Sequence, residues 1–104
     1  MKASIKHDLT PEQLRLAVRH FADAYTRRFA EYEATAAWLN DDQIEVRFKV
    51  KGVRLAGRLD LKPRELGLHM DVPLPFHLFK GRAMRAIEEE VTPWLEKAKR
   101  GELT

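Results

Sequence analysis

The chain contains no cysteine, which excludes disulfides, thiolate zinc sites and a cysteine nucleophile. Serine is almost as scarce: Ser4 is the only one, and no Gly-x-Ser-x-Gly turn is present to present a serine nucleophile. The five glycines are dispersed, so there is neither a phosphate-cradling loop nor a dinucleotide fingerprint. The four histidines, His7, His20, His69 and His77, form no pair at i, i+4 and no zinc-protease pattern. A metal site is therefore not expected, and neither is a cofactor or a catalytic group. No uninterrupted apolar run approaches the roughly 20 residues of a membrane-spanning helix. The segment Met1 to Asp8 has no apolar stretch of the kind that directs secretion, so a cytoplasmic location is the expectation.

What remains is a chain of 104 residues, 44% apolar and 34% charged. That is one domain's worth, spanning residues 1–104, with enough apolar material for a core that needs no metal or disulfide. Nineteen basic and sixteen acidic residues leave a net charge of only +3. So small an excess favours an anionic partner weakly and does not establish one.

Residues Ser4 to Asp8 read as a short opening strand anchored by Ile5. Thr10 is a good helix N-cap, Pro11 suits the first helical position, and Gln13 is placed to complete a capping box. Leu14, Val18, Phe21, Tyr25, Phe29 and Tyr32 then recur at steps of three and four, one apolar stripe on a helix of about six turns. The period changes at Ala34 to Leu39, a strand containing Trp38, and Asn40-Asp41-Asp42 is a turn signal. From Gln43 to Lys51 the alternation is strict: Ile44, Val46, Phe48 and Val50 face one way, Glu45, Arg47, Lys49 and Lys51 the other. Leu55 to Leu61 continues that pattern beyond Gly52, and Leu66, Leu68, Met70 and Val72 carry the last strand. A second helix carries Met84, Ile87, Val91, Trp94, Leu95 and Ala98 on one stripe. Pro93 lies inside it and should kink it.

The expected fold is α+β: a two-layer β-α-β-β-β-α domain, with a four-stranded, mostly antiparallel sheet and two helices on one face. Its other face stays wet or is covered by a partner.

Two places carry a candidate function. Arg47, Lys49, Lys51, Arg54 and Arg58 occupy positions opposite the core and could form an anion or nucleic-acid face. Glu45, Asp60 and Asp71 should lie among them, however, and no aromatic residue stands there to stack a base. Cross-strand ion pairing explains the same alternation and is favoured. The second place is the apolar segment after Val72, where Leu74, Phe76, Leu78 and Phe79 stand beside Pro73 and Pro75. These side chains either seat the second helix or form a lip that touches a lipid, a polymer or a protein. Glu88-Glu89-Glu90 point in different directions on a helix and do not converge. His7, His20, Tyr25 and His69 form no recognisable small-molecule site. A homodimer through the wet sheet face is open, although its charges oppose a dry contact.

Certain landmarks together resemble a known family. They are Ile5-Lys6-His7 before an Ala/Arg-rich helix, Trp38 ahead of the hairpin, Phe48, Gly52-Val53 and Gly57-Arg58-Leu59. Lys80-Gly81 and Ile87-Glu88-Glu89-Glu90-Val91 follow an apolar segment. In these the chain is similar to the polyhydroxyalkanoic acid system, or granule-region, proteins. Members tend to carry a Leu-Gly-Phe-like run before the second helix, where this chain has Pro73-Leu74-Pro75-Phe76. The resemblance implies a non-enzymatic accessory protein of polyhydroxyalkanoate metabolism, in contact with granule proteins or with a polyester or lipid surface, and no catalytic residues. The layout and cationic strands also resemble ribosome-hibernation factors, which implies an alternative as a nucleic-acid or ribosome-associated protein.

Overall fold

The computed structural model describes residues 2–71 and 80–104. Its elements are β1 (Lys2–Lys6), α1 (Pro11–Arg28), a 3-10 turn (Ala30–Tyr32), β2 (Thr35–Asn40), β3 (Gln43–Val50), β4 (Val53–Leu61), β5 (Glu65–Asp71) and α2 (Lys80–Lys99). The sheet therefore has five strands, not the expected four, in the order β1-β5-β4-β3-β2, and every pairing is antiparallel. Each strand segment read from the sequence, at Ser4, Ala34, Gln43, Leu55 and Leu66, becomes a strand, so the expected order left one of them out; the connections from β2 to β5 are turns of two or three residues. The Asn40 side chain accepts from the Asp42 N–H at 2.8 Å to close the β2–β3 turn. At the β3–β4 turn Lys51 and Gly52 both have positive φ, 51° and 81°, as a two-residue type I′ hairpin requires.

The start of α1 is as expected. Thr10 Oγ1 accepts from the Gln13 N–H at 3.1 Å, and Gln13 Oε1 accepts from the Thr10 N–H at 2.9 Å. This box satisfies two of the donors that a helix start leaves open. The end of α1 comes one turn early. The helix stops at Arg28, the chain tightens into the 3-10 turn, and Glu33 adopts a left-handed conformation with φ 54°. Tyr32 thereby leaves the buried stripe and is 41% exposed.

Both helices lie on one face of the sheet. Leu14, Val18 and Phe21 of α1 and Val91 and Leu95 of α2 are buried against Ile44, Leu59, Leu66 and Leu68. The register explains that continuous floor: Ile44 is opposite Leu59, Leu59 opposite Leu68, and Leu66 lies between Ile5 and Leu61. α2 runs through Pro93 without ending, and Thr92 Oγ1 donates to the Glu88 carbonyl at 2.7 Å just ahead of it. The N-terminal loop is tied to the end of α2 by an ion pair between Asp8 and Lys99. Among the described residues no helix is long and apolar enough to cross a membrane.

Candidate functional site

The face of the sheet away from the helices is polar, and its register decides what each charge does. Strand pairing sets Asp60 beside Gln43 on one side and Gly67 on the other. A Cβ on Gly67 would stand 3.4 Å from the Asp60 Cβ, so glycine leaves room for the carboxylate to lie flat against the sheet. Asp60 is only 8% exposed. Arg58 grips it with two bonds, Nε to Oδ1 at 2.8 Å and Nη2 to Oδ2 at 3.1 Å. Gln43 Nε2 donates to Oδ1 at 2.9 Å, and His69 Nε2 lies 3.1 Å from Oδ2. Burial pushes the Asp60 pKa up, but the Arg58 and Gln43 hydrogen bonds and the Arg58 and His69 charges outweigh it. The carboxyl is held below its ordinary value of 3.8.

This network sorts the five cations singled out in the sequence. Arg58 is occupied by Asp60. Arg47 is tied to Glu45 through Nε–Oε1 at 2.6 Å. Lys49 reaches Glu33 at 3.7 Å, both side chains well exposed, a pairing of little energetic weight. Arg54 lies directly opposite Lys49 in the ladder, and Lys51 sits in the turn rather than on a strand. Neither Arg54 nor Lys51 has an acidic partner among the described residues. The cationic track thus contracts to a corner at the hairpin end, where Arg47, Lys49, Arg54 and Glu33 border an open groove of about 370 Å³. Like charges set directly opposite each other in a ladder are unfavourable unless an anion joins them.

On the helix side there is a cavity of about 160 Å³. Phe21, Tyr25, Phe29, Phe48, Met70 and Ile87 line it, with Glu90 as the only carboxylate there among the described residues. One wall is an aromatic ladder along the end of α1, in which Phe21–Tyr25, Tyr25–Phe29 and Phe29–Tyr32 ring centroids lie 5.8, 5.6 and 6.3 Å apart. Tyr25 donates its hydroxyl to the Arg47 carbonyl at 3.3 Å, and burial pushes its pKa up to about 12. Glu90 is paired with Arg28, so the described lining offers an occupant mainly apolar surface. The spacing of those aromatic residues was legible as a stripe, but not the gap beneath it, which side chains of the sheet and of α2 also border.

The remaining candidates divide plainly. Leu74, Phe76, Leu78 and Phe79 lie outside the described residues, as does His77. His7 bridges the backbone, with Nε2 2.9 Å from the Lys62 carbonyl and Nδ1 accepting from the Leu9 N–H at 3.1 Å. His20 stacks on Trp94 with centroids 5.5 Å apart. Among the described residues, no three His, Asp or Glu side chains are grouped to hold a metal ion.

No curated protein matches the chain in sequence. A family model does, described as "Putative polyhydroxyalkanoic acid system protein", and it covers residues 1–95. That span takes in β1 to β5 and most of α2, including the polar network on one face of the sheet and the cavity on the other. The chain belongs to this polyhydroxyalkanoic acid system family.

Proposed function

We propose that the chain is a non-enzymatic accessory protein of polyhydroxyalkanoate storage, working in the cytoplasm at the granule and binding through apolar surface. The observation that carries this reading is the cavity beneath the aromatic ladder. Among the described residues its lining is almost wholly apolar, and the one carboxylate there, Glu90, is paired with Arg28. Such a site suits an alkyl group of a polyester or lipid, whose recognition rests on apolar area and shape rather than on hydrogen bonds. Membership of a polyhydroxyalkanoic acid system family supports a polyester as the polymer.

Cosedimentation of the purified protein with amorphous polyester particles at moderate salt tests it. The parent protein is expected to pellet with the particles. Ala86→Glu changes an exposed helix position beside the cavity. It should lower the bound fraction several-fold while leaving thermal unfolding unchanged. If the parent stays in the supernatant, the reading fails.

A second reading rests on the cationic corner. Arg54, unpaired among the described residues and opposite Lys49, favours an anionic ligand such as RNA. With Lys49, Lys51 and Arg54 as three phosphate contacts, the affinity for single-stranded RNA should fall with salt at a log–log slope of roughly −2. Arg54→Gln should weaken it while Arg58→Gln acts only through stability. No gel retardation at low salt would end this alternative.

A further inference from the structure

The two edges of the sheet are built differently. β1 reads Lys-Ala-Ser-Ile-Lys, and lysines on an edge strand discourage pairing with another chain. β2 reads Thr-Ala-Ala-Trp-Leu-Asn, without one charged residue. Among the described residues it pairs with β3 alone, so alternate N–H and C=O groups along its outer side face away from the sheet. Beside that row stand Trp38, 40% exposed, and Leu39, 53% exposed. With Leu16 of α1 they line an open groove of about 570 Å³, whose walls carry Glu12 and Asp41 together with Arg15 and Arg19.

We propose that β2 pairs antiparallel with β2 of a second copy of this chain, joining two five-stranded sheets into one continuous sheet. A strand without charge meets no like-charge repulsion when it faces itself. The groove walls hold two acids and two bases, so a two-fold arrangement brings balanced walls together. Size also fits. Ala36 and Trp38 share the helix side of the sheet, opposite Val46 and Ile44. A two-fold axis at Ala37 sets each copy's Trp38 over the other's Ala36, large against small, and covers both indoles. The register irregularity of β2 falls between Trp38 and Asn40, which leaves the three positions about the axis, Ala36, Ala37 and Trp38, regular for pairing. A polymer or lipid surface would cover Trp38 and Leu39 but leave the outer backbone groups unmet, whereas a second strand satisfies both.

The test uses the full chain. Sedimentation velocity from low micromolar to several hundred micromolar should show a monomer–dimer equilibrium. Ala37→Lys, an exposed position on the wet side of β2, sets two like charges face to face at the axis. It should raise the dimer dissociation constant by roughly two- to fivefold. The absence of native cysteine permits a second measurement that does not depend on that variant's folding. Ala37→Cys should form a disulfide-linked dimer on mild oxidation, because paired strands bring the two Cα atoms within disulfide range. Ser4→Cys, on the opposite edge, should not. A chain that stays monomeric throughout overturns the proposal, whether or not a foreign peptide copurifies with it. So does a dimer indifferent to Ala37→Lys, or one that crosslinks through Ser4→Cys and not through Ala37→Cys.

Discussion

Replacing Asp60 with alanine removes the shared acceptor of Arg58, Gln43 and His69 in one step. The loss can be built from its parts. The Arg58 side chain is 41% exposed, so its freed guanidinium regains water, and its bidentate grip is worth about 1 kcal/mol after screening. The Gln43 bond to a carboxylate is part-buried and contributes about 1 kcal/mol more. The His69 contact, with a side chain 30% exposed, adds little. The expected destabilisation is therefore about 2 kcal/mol, a fall in melting temperature of roughly 10 °C for a domain of this size. Asp60→Asn, which keeps the shape and one acceptor, should lose about half as much. Urea unfolding followed by far-UV circular dichroism at neutral pH measures both. The pH dependence supplies an internal check. The folded-state pKa of Asp60 is depressed, so its contribution is present above the unfolded value near 3.8 and is lost as pH falls through the lower folded value. The gap between parent and Asp60→Asn should narrow below that pH. A loss smaller than about 0.5 kcal/mol for Asp60→Ala at neutral pH, no more than an ordinary surface substitution costs, would refute the description of this network as a stabilising hub.

Other substitutions probe the scaffold. Lys51 occupies a left-handed position in the β3–β4 turn, so Lys51→Asn should stabilise by about 0.5 kcal/mol in thermal melts. Thr10→Ala breaks the capping box and should cost about 1 kcal/mol in chemical unfolding. Leu68 is 1% exposed at the centre of the sheet, and Leu68→Ala should cost about 3 kcal/mol by the same assay.

Local chemistry was the most legible part of this fold. Thr10, Pro11 and Gln13 announce the start of α1 because a capping box involves only neighbours in sequence. The alternation from Ile44 to Val50 sorts the side chains of β3 by face because the strand period is a property of the backbone. What depends on other strands was hidden. Gln43, Arg58, Asp60 and His69 converge only once β3, β4 and β5 have taken their register, and alternation alone reads Asp60 as one more wet-face charge. The expected order counted one strand too few, although all five segments were visible in the sequence; what the local pattern leaves open is the arrangement of the strands in the sheet. Tyr32 followed the helical spacing of Phe21, Tyr25 and Phe29, yet α1 stops at Arg28 and Tyr32 lies in the 3-10 turn beyond it. Trp38 is 40% exposed because β2 is the outermost strand, a position that the local pattern does not reveal.

The strand order also bears on how the chain folds. β2 to β5 form a meander in which each strand pairs with the next in sequence, across turns of a few residues, so three hairpins can close locally and in succession. β1 is the exception: Lys2 pairs with His69 and Lys6 with Glu65. On a ribosome the first strand to emerge is therefore the last to find its place, waiting until nearly the whole meander has been made. Closing that long loop is the entropically expensive step. Changes at the β1–β5 seam should thus act mainly on unfolding rates, and changes in the β3–β4 hairpin on folding rates.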